Sequence, residues 1–427
     1  MRLRKFSFLF LFLAVWVLPG SAQERDIRAE LRQEPLRYGG SSAPYLYSAS
    51  DETKAPCGYK PFYISHFGRH GSRFHTTASL CPSLSALFAR GDSLQILTEL
   101  GRTVYDRIRQ MDSVSEGRAG DLTEVGEREH REIALRMVRR CPRVFSGKGV
   151  RVLAEATTSP RVIVSMAAFC EALKTAAPGI EIHHEAGERS SAYLNHYTAE
   201  YREYYQNGPW REVRDNWLKG HLAPAPVISR LFRDASPVGG NPGGSEARKF
   251  VQNLYSLAKI TAASGFDFSL YEAFTEDELF VLWQSGNMDQ YMRKGPSAFA
   301  ETLAPSIAKP LLADFVREAE AAVRGEGPAV KLRFGHGEGI MPLAALMRIN
   351  EASQVCSDPD RMADCWQDYR ITTMAANIQW IFYRNPKGKV LVKILLNERE
   401  ASIPVPTDTW PYYAWEDVRD FYHTIID

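Results

Sequence analysis

Three segments of the chain repeat one pattern of apolar and polar positions. Residues 60–74 (KPFYISHFGRHGSRF) start as an apolar, β-prone run and break into a glycine-containing polar loop. Residues 150–174 (VRVLAEATTSPRVIVSMAAFCEALK) open with a strand-like run from Val150 to Ala154, turn through Thr and Ser, and continue as a helix. Ser159 suits the N-cap of that helix and Pro160 its first position, where a missing N–H costs nothing. Residues 329–349 (AVKLRFGHGEGIMPLAALMRI) repeat the plan: Val330, Leu332 and Phe334 alternate, a glycine-rich loop follows, and Pro342 is expected to open an apolar helix. Strand, polar loop and helix, three times over, predict an α/β fold. In open parallel sheets sites form beyond the carboxyl ends of the strands, so the three loops should meet at one sheet edge.

Two more strands are expected. Residues 387–398 (KGKVLVKILLNE) complete the sheet, and residues 376–385 (ANIQWIFYRN) pair with them as a hairpin around Pro386–Gly388. Residues 186–328 read differently, being rich in aromatic and charged side chains at helical spacing, with Tyr193, Tyr197 and Tyr201 four apart. This predicts a mainly helical insertion capping the sheet, the tyrosines packing helices or lining a cleft. The loop VGGNPGGSEARKF (238–250) lacks the Gly-Lys-Ser/Thr of a nucleotide loop and is expected to be a flexible turn.

The first residues change the picture of where the chain resides. MRLRKFSFLFLFLAVWVLPGSA has a basic start (Arg2, Arg4, Lys5), an apolar core from Phe6 to Leu18, then Pro19 and a small-residue exit. That is the layout of a cleaved export signal, with an apolar core short for a membrane span. The expected organisation is a signal peptide at 1–22, an α/β domain from 23–185 and 329–427, and the helical cap at 186–328. A chain of 427 residues suits such a two-part arrangement. Export to the periplasm or the medium follows.

Losing residues 1–22 removes three basic residues and no acidic ones, leaving 49 of the 52 Lys and Arg against 51 Asp and Glu. A chain so near neutral is not a general nucleic-acid binder. Any anion site must be a local gathering of arginine. The six cysteines (57, 81, 141, 170, 356, 365) all follow the signal, and an even number in an exported chain favours disulfides. Cys356–Cys365 is the expected pair, Cys57–Cys81 would brace the first loop, and Cys141–Cys170 follows by subtraction.

The loops carry matching chemistry. A phosphate monoester is a dianion, and cleaving it takes fixed cations, an in-line nucleophile and an acid for the leaving oxygen. The first loop offers Arg69, His70 and Arg73, whose guanidinium forks pair with phosphate oxygens and stay charged. Gly71 lets the backbone approach closely. The second supplies Arg161 in the first turn of its helix, and the third His336 and Glu338 around Gly337. Singly, Arg161 and Glu338 would be solvated surface charges; together the six make a complete set for two-step phosphoryl transfer. His66 and His75 are expected to be bystanders, or at most to support the loop. There is no HExxH and the arginines would repel a cation, so no metal or other cofactor is expected.

These residues match a known signature. RHGSR (69–73) resembles the RHGxR motif of the histidine phosphatases, in the acid phosphatase and phytase branch. LTEVGEREH (122–130) resembles that family's Leu-Thr-x-x-Gly stretch, and TTSPRVIVSMAAFCEAL (157–173) its Ser-x-x-Arg helix. HGEGIMPLAALM (336–347) resembles its late proton-donor motif, and KILLNE (393–398) its last sheet strand. The resemblance implies a phosphoglycerate-mutase-like, mixed or mostly parallel sheet flanked by helices, with a mainly α-helical cap insertion. His-x-Glu spacing is that of the multiple inositol polyphosphate phosphatases, with Gly337 in place of their alanine. The implied roles are His70 as nucleophile, Glu338 as proton donor, and Arg69, Arg73, Arg161 and His336 as holders of the phosphoryl group. A carboxylic acid beside a phosphate dianion should titrate high, implying an acidic to near-neutral optimum. The implied function is an exported phosphatase of inositol polyphosphates such as phytate. A broad-specificity acid phosphatase and a phosphate-binding protein without catalysis are the alternatives. As extra cations for a polyanion, Lys54, Lys60, Arg189 and Arg202 are the candidates.

Overall fold

The computed structural model describes residues 26–49, 52–300 and 302–427, and the expected export signal lies outside them. Among the described residues eight strands form one mixed sheet. They are β1 (Lys60–Arg69), β2 (Val150–Ala156), β3 (Ile180–Ala186), β4 (Val330–Gly335), β5 (Asn377–Arg384), β6 (Val390–Leu396), β7 (Arg399–Glu400) and β8 (Tyr412–Ala414). Their order is β3-β2-β4-β1-β5-β6-β7, with β8 on β6. The first four positions are parallel, and β5 and β6 form the expected antiparallel hairpin. Register aligns Arg69 with Gly335 and Ala156 with Phe334, which brings the carboxyl ends of β1, β4 and β2 side by side.

The strands read as near-continuous apolar runs because both sheet faces are covered. From Tyr63 onward β1 is buried throughout. Tyr63 and Phe67 join one apolar cluster with Phe315, Ile340, Trp380 and Phe382, while Ile64 joins another with Ile133, Phe169 and Val330. In β4 the apolar residues Val330, Leu332 and Phe334 belong to the second cluster. Its alternate residues are buried cations that need partners: Lys331 lies 2.6 Å from Glu155, and Arg333 lies 2.6 Å from Asp314.

The helices that bear on the site are α1 (Leu80–Ser93), α2 (Glu99–Ser115), α3 (Glu124–Arg140), α4 (Pro160–Ala176), α5 (Glu188–Leu194), α6 (Ala199–Asn207), α7 (Ser245–Ala258), α8 (Glu276–Lys294), α9 (Lys309–Val323) and α10 (Gly337–Leu346). Between β3 and β4 the described chain is helices and connections. Their core is shared with α1 and α2: Leu84, Phe88, Val104 and Ile108 cluster with Leu218, Leu254 and Trp283. The helical layer therefore draws in a segment well before residue 186.

Several local expectations are corrected. The tyrosine stripe is no single helix, since α5 ends at Leu194 and Thr198 caps α6 with its hydroxyl on the Tyr201 N–H. Pro342 does not open its helix; α10 begins at Gly337 and carries Pro342 inside it, so Glu338 stands in the first turn. Pro160 does open α4, but the Ser159 hydroxyl makes no capping bond. The loop after Val238 turns through Gly239 and Gly240, both at positive φ, and is followed by α7 from Ser245. None of the expected disulfides is shown among the described residues. The Sγ atoms of Cys356 and Cys365 nevertheless lie 2.7 Å apart. Cys57 is exposed while Cys81 is buried in α1, and Cys141 and Cys170 pack as apolar groups in the same cluster. No described helix is long and apolar enough to cross a membrane.

Candidate active site

The first loop leaves β1 through a close fit of two glycines. A Cβ on Gly71 would stand 2.5 Å from the carbonyl oxygen of Gly126 in α3, and one on Gly126 would collide with the Ser72 carbonyl. That contact gives the LTEVG stretch its part in the site. Buried Glu129, one turn further along α3, accepts from the Ser72 N–H and hydroxyl, both at 2.7 Å. The Thr123 N–H donates to the Ser72 carbonyl at 2.9 Å. From α4, the Ser165 hydroxyl accepts from the Gly71 N–H at 3.1 Å and donates to the Arg161 carbonyl at 2.8 Å. The loop is thus fixed from two helices.

His70 is buried, and its Nδ1 lies 2.9 Å from its neighbour's carbonyl, Gly71 O. Nδ1–H donating there leaves the Nε2 lone pair unprotonated. Burial first, then Arg69, Arg73 and Arg161, hold the imidazole well below its ordinary pKa. It is a neutral base at neutral pH. The His336 ring stands edge-on to it, centroids 5.7 Å apart, with its Nε2 3.2 Å from the Thr157 hydroxyl at the end of β2. Burial, Arg161, Arg69 and Lys294 pull His336 down to about 4 against the opposing effect of Glu338.

The arginines form a cationic cradle. Arg69 is anchored by donating to the carbonyls of Ser41 and Thr373, at 2.5 and 3.1 Å. Burial, Arg69 and Arg161 bring Arg73 down to about 9, so it is still charged at neutral pH. The Nε atoms of Arg69, Arg73 and Arg161 are all buried without a hydrogen-bond partner. Three mutually repelling guanidiniums with unused donors suit an anion.

Glu338 sits across this cradle. Burial alone would push its carboxyl up, but Lys294, with Nζ 2.9 Å from Oε1, and then His336 and Arg69 hold it well below the ordinary range. Its place in the first turn of α10 adds favourable helix-end amides. In the free protein this group is a carboxylate, not the high-titrating acid expected beside a bound phosphate. A Cβ at position 337 would come 3.3 Å from the Arg69 Nε, so glycine there relieves a tight contact with the cradle.

The six residues singled out from sequence come together at this corner of the sheet, His70 beside Arg69, Arg73 and Arg161 and its ring edge-on to His336, while His336 lines an adjoining cavity. Arg69, Arg73, Gly337 and Glu338 share a cavity of about 300 Å³ with His75, Lys259, Arg293 and Lys294. His75 is closer than a bystander: it lines the cavity and its Nε2 is 3.2 Å from the Ser256 hydroxyl. Of the four extra cations expected, Arg202 lines an adjoining cavity with Thr157 and His336. Lys60 is exposed at the opposite end of β1, about 30 Å from Arg69 along the strand, and Lys54 is exposed in the segment before it. Arg189 points to solvent beside Glu185. Lys259, Arg293 and Lys294, which no local motif marks, come from the ends of α7 and α8. Among the described residues no three His, Cys, Asp or Glu side chains group as a metal site.

No family model matches the chain. It is 22% identical over 333 residues to human multiple inositol polyphosphate phosphatase 1, covering 72% of this chain and 66% of that protein. It superposes on Bifidobacterium longum multiple inositol polyphosphate phosphatase, solved with inositol hexasulfate, with a TM-score of 0.75 and 20% identity over 90% of this chain and 97% of that one. The phytase of D. castellii gives a TM-score of 0.69 at 13% identity, over 92% and 85% of the two chains. The strand order, the flanking helices and these superpositions agree: the chain has the histidine acid phosphatase fold, the one shared by multiple inositol polyphosphate phosphatases and phytases.

Proposed function

We propose that the protein is an exported phosphoric monoester hydrolase of inositol polyphosphates, phytate among them, working through a phosphohistidine. The observation that carries this is His70, with Nδ1 held by the Gly71 carbonyl, buried beside three arginines whose Nε donors are unused. Nε2 attacks phosphorus; the P–N bond forms as the P–O bond to the inositol breaks. Arg69, Arg73, Arg161 and His336 hold the phosphoryl oxygens, and Glu338 gives its proton to the leaving alkoxide. Glu338, now a carboxylate, takes a proton from the water that attacks the phosphohistidine, releasing phosphate and regenerating His70.

A polyanionic substrate is favoured over a small one by what lies beyond the cradle. The cavity continues past Ser41, Ser256, Lys259, Gln290 and Arg293 into a second chamber of about 410 Å³. The Lys259 ammonium has no hydrogen-bond or ion-pair partner among the described residues, and it lies 5.8 Å from the Tyr255 ring. Burial first holds its pKa below the ordinary value, with Arg73 and Lys294 adding to it against the opposing pull of Asp289 and Asp368. A second phosphate would relieve that. Export rests on the layout of residues 1–22. The test is relative turnover of phytate and a simple aryl phosphate, with preference for phytate expected. Clear preference for the aryl ester would leave a broad-specificity phosphatase instead.

A further inference from the structure

Lys294 is the last residue of α8 and comes to the site from the helical layer, not from the sheet loops. Its Nζ lies 2.9 Å from Glu338 Oε1 and 2.7 Å from the neutral Gln290 Oε1. The lysine is nearly buried, and it lines the same cavity as Arg69 and Arg73. Other charged or titratable groups face Glu338: Arg69 and Arg73 from the first loop, Arg161 from α4, His336 beside it, Arg293 from α8, and Tyr197 and Tyr201 from the α5–α6 region. Most of these cations are anchored elsewhere. Arg69 is tied to two carbonyls, and Arg293 is bound to Asp289 at 2.8 Å and stacked on Tyr205 at 3.8 Å. Lys294 alone of them hydrogen-bonds the carboxylate, and apart from it holds only a neutral amide. Its long, flexible stem lets the charge swing between partners.

We infer that Lys294 is a positioning residue for the proton donor: it pins the Glu338 carboxylate in the free protein and hands its ammonium to a substrate phosphate on binding. The inference rests on the phosphatase reading above. The hand-off has a chemical consequence. An acid paired to lysine cannot protonate an alkoxide; one that has lost the lysine and gained a dianion neighbour holds a proton readily. Substrate arrival thereby converts Glu338 from anchor to acid.

The test uses Lys294→Met and Lys294→Arg in the full-length protein, with thermal melts to confirm folding. kcat/KM is followed from about pH 4 to 9 for an inositol phosphate and for an aryl phosphate whose leaving group needs no proton, because this quantity reports the free enzyme's titrations. Removing the ammonium raises the free carboxyl's pKa. The alkaline limb for the inositol phosphate should then move up by about one pH unit in the Met variant, about tenfold in rate on that limb. The aryl limb should stay in place, and the Arg variant should keep the wild-type profile. An unmoved limb in the Met variant, or the same displacement for both substrates, overturns the inference. A second readout does not need turnover: proton uptake on binding inositol hexasulfate, by calorimetry in two buffers of different ionisation heat. It should fall in the Met variant and persist in the Arg variant; equal uptake in the Met variant and wild type overturns the inference. A wild-type protein that never forms a phosphohistidine would sink the phosphatase reading while leaving this second readout to decide on Lys294.

Discussion

Acid should weaken this fold through two histidines that take no part in the chemistry. His66 in β1 and His130 in α3 are fully buried against Phe169 and Phe334, with ring centroids 5.3 to 6.4 Å apart. Burial brings both down to about 3 from 6.5, and His66 is lowered further by His130 and Arg333. The folded state therefore holds each ring neutral while the unfolded chain protonates it. The contribution is complete above pH 6.5 and is lost as pH falls towards 3. Between pH 7 and 5 this costs about 2 kcal/mol for each ring and about 4 kcal/mol for both, a large part of a typical domain's 5–15 kcal/mol. Glu129 and Asp368, raised by burial, act with the opposite sign, so the histidine share is isolated by substitution. Urea unfolding of wild type, His130→Phe and the His66→Phe/His130→Phe pair at pH 7 and 5 is the assay. The pair should remove about 4 kcal/mol of the drop and the single variant about half of that, the rest belonging to His70, His75 and His336, which burial also holds down. A pair that weakens as steeply as wild type would refute the reasoning. The acid limit of this protein would then lie in its chemistry, not its core.

Other consequences are equally direct. Gly126→Ala drives a methyl group into the Ser72 carbonyl and should shift the His70 loop, costing about 10²-fold or more in kcat with the overall fold retained by circular dichroism. Lys259→Met should raise KM for inositol polyphosphates several-fold while leaving a simple aryl phosphate nearly unchanged; equal effects on both would remove the second chamber from substrate binding. Asp314→Ala strands Arg333 as a buried, unpaired charge in β4 and should destabilise by about 3–5 kcal/mol in urea melts, away from the site and without a matching loss of specific activity.

What the sequence made legible was local. Each strand–loop–helix unit carries its pattern in about 20 contiguous residues, and parallel register alone brings Arg69, Thr157 and His336 to one edge. The hairpin of β5 and β6 is marked by its turn in the same way. β3 escaped because IEIHHEA is an edge strand with mostly partly exposed or exposed side chains, so no apolar run announces it. Pro342 misled because proline favours a helix start, whereas α10 tolerates it five residues after Gly337. The extra cations were sought near the motif in sequence, yet Lys60 sits at the far end of the strand that Arg69 closes. Lys259 and Lys294 reach the cleft only because α7 and α8 pack their carboxyl ends over it, and that packing leaves no local signal. The depressed pKa of Glu338 follows from the same tertiary contact and was likewise invisible.

The central claim is that His70 carries the phosphoryl group, and acid-free quenching of the protein with radiolabelled substrate tests it most directly. The account predicts an acid-labile phosphoenzyme with the phosphoryl on Nε2 of His70, since Nδ1 is occupied by the Gly71 carbonyl, and none in His70→Ala. Turnover by His70→Ala at the wild-type rate, or label trapped on another residue, would contradict it.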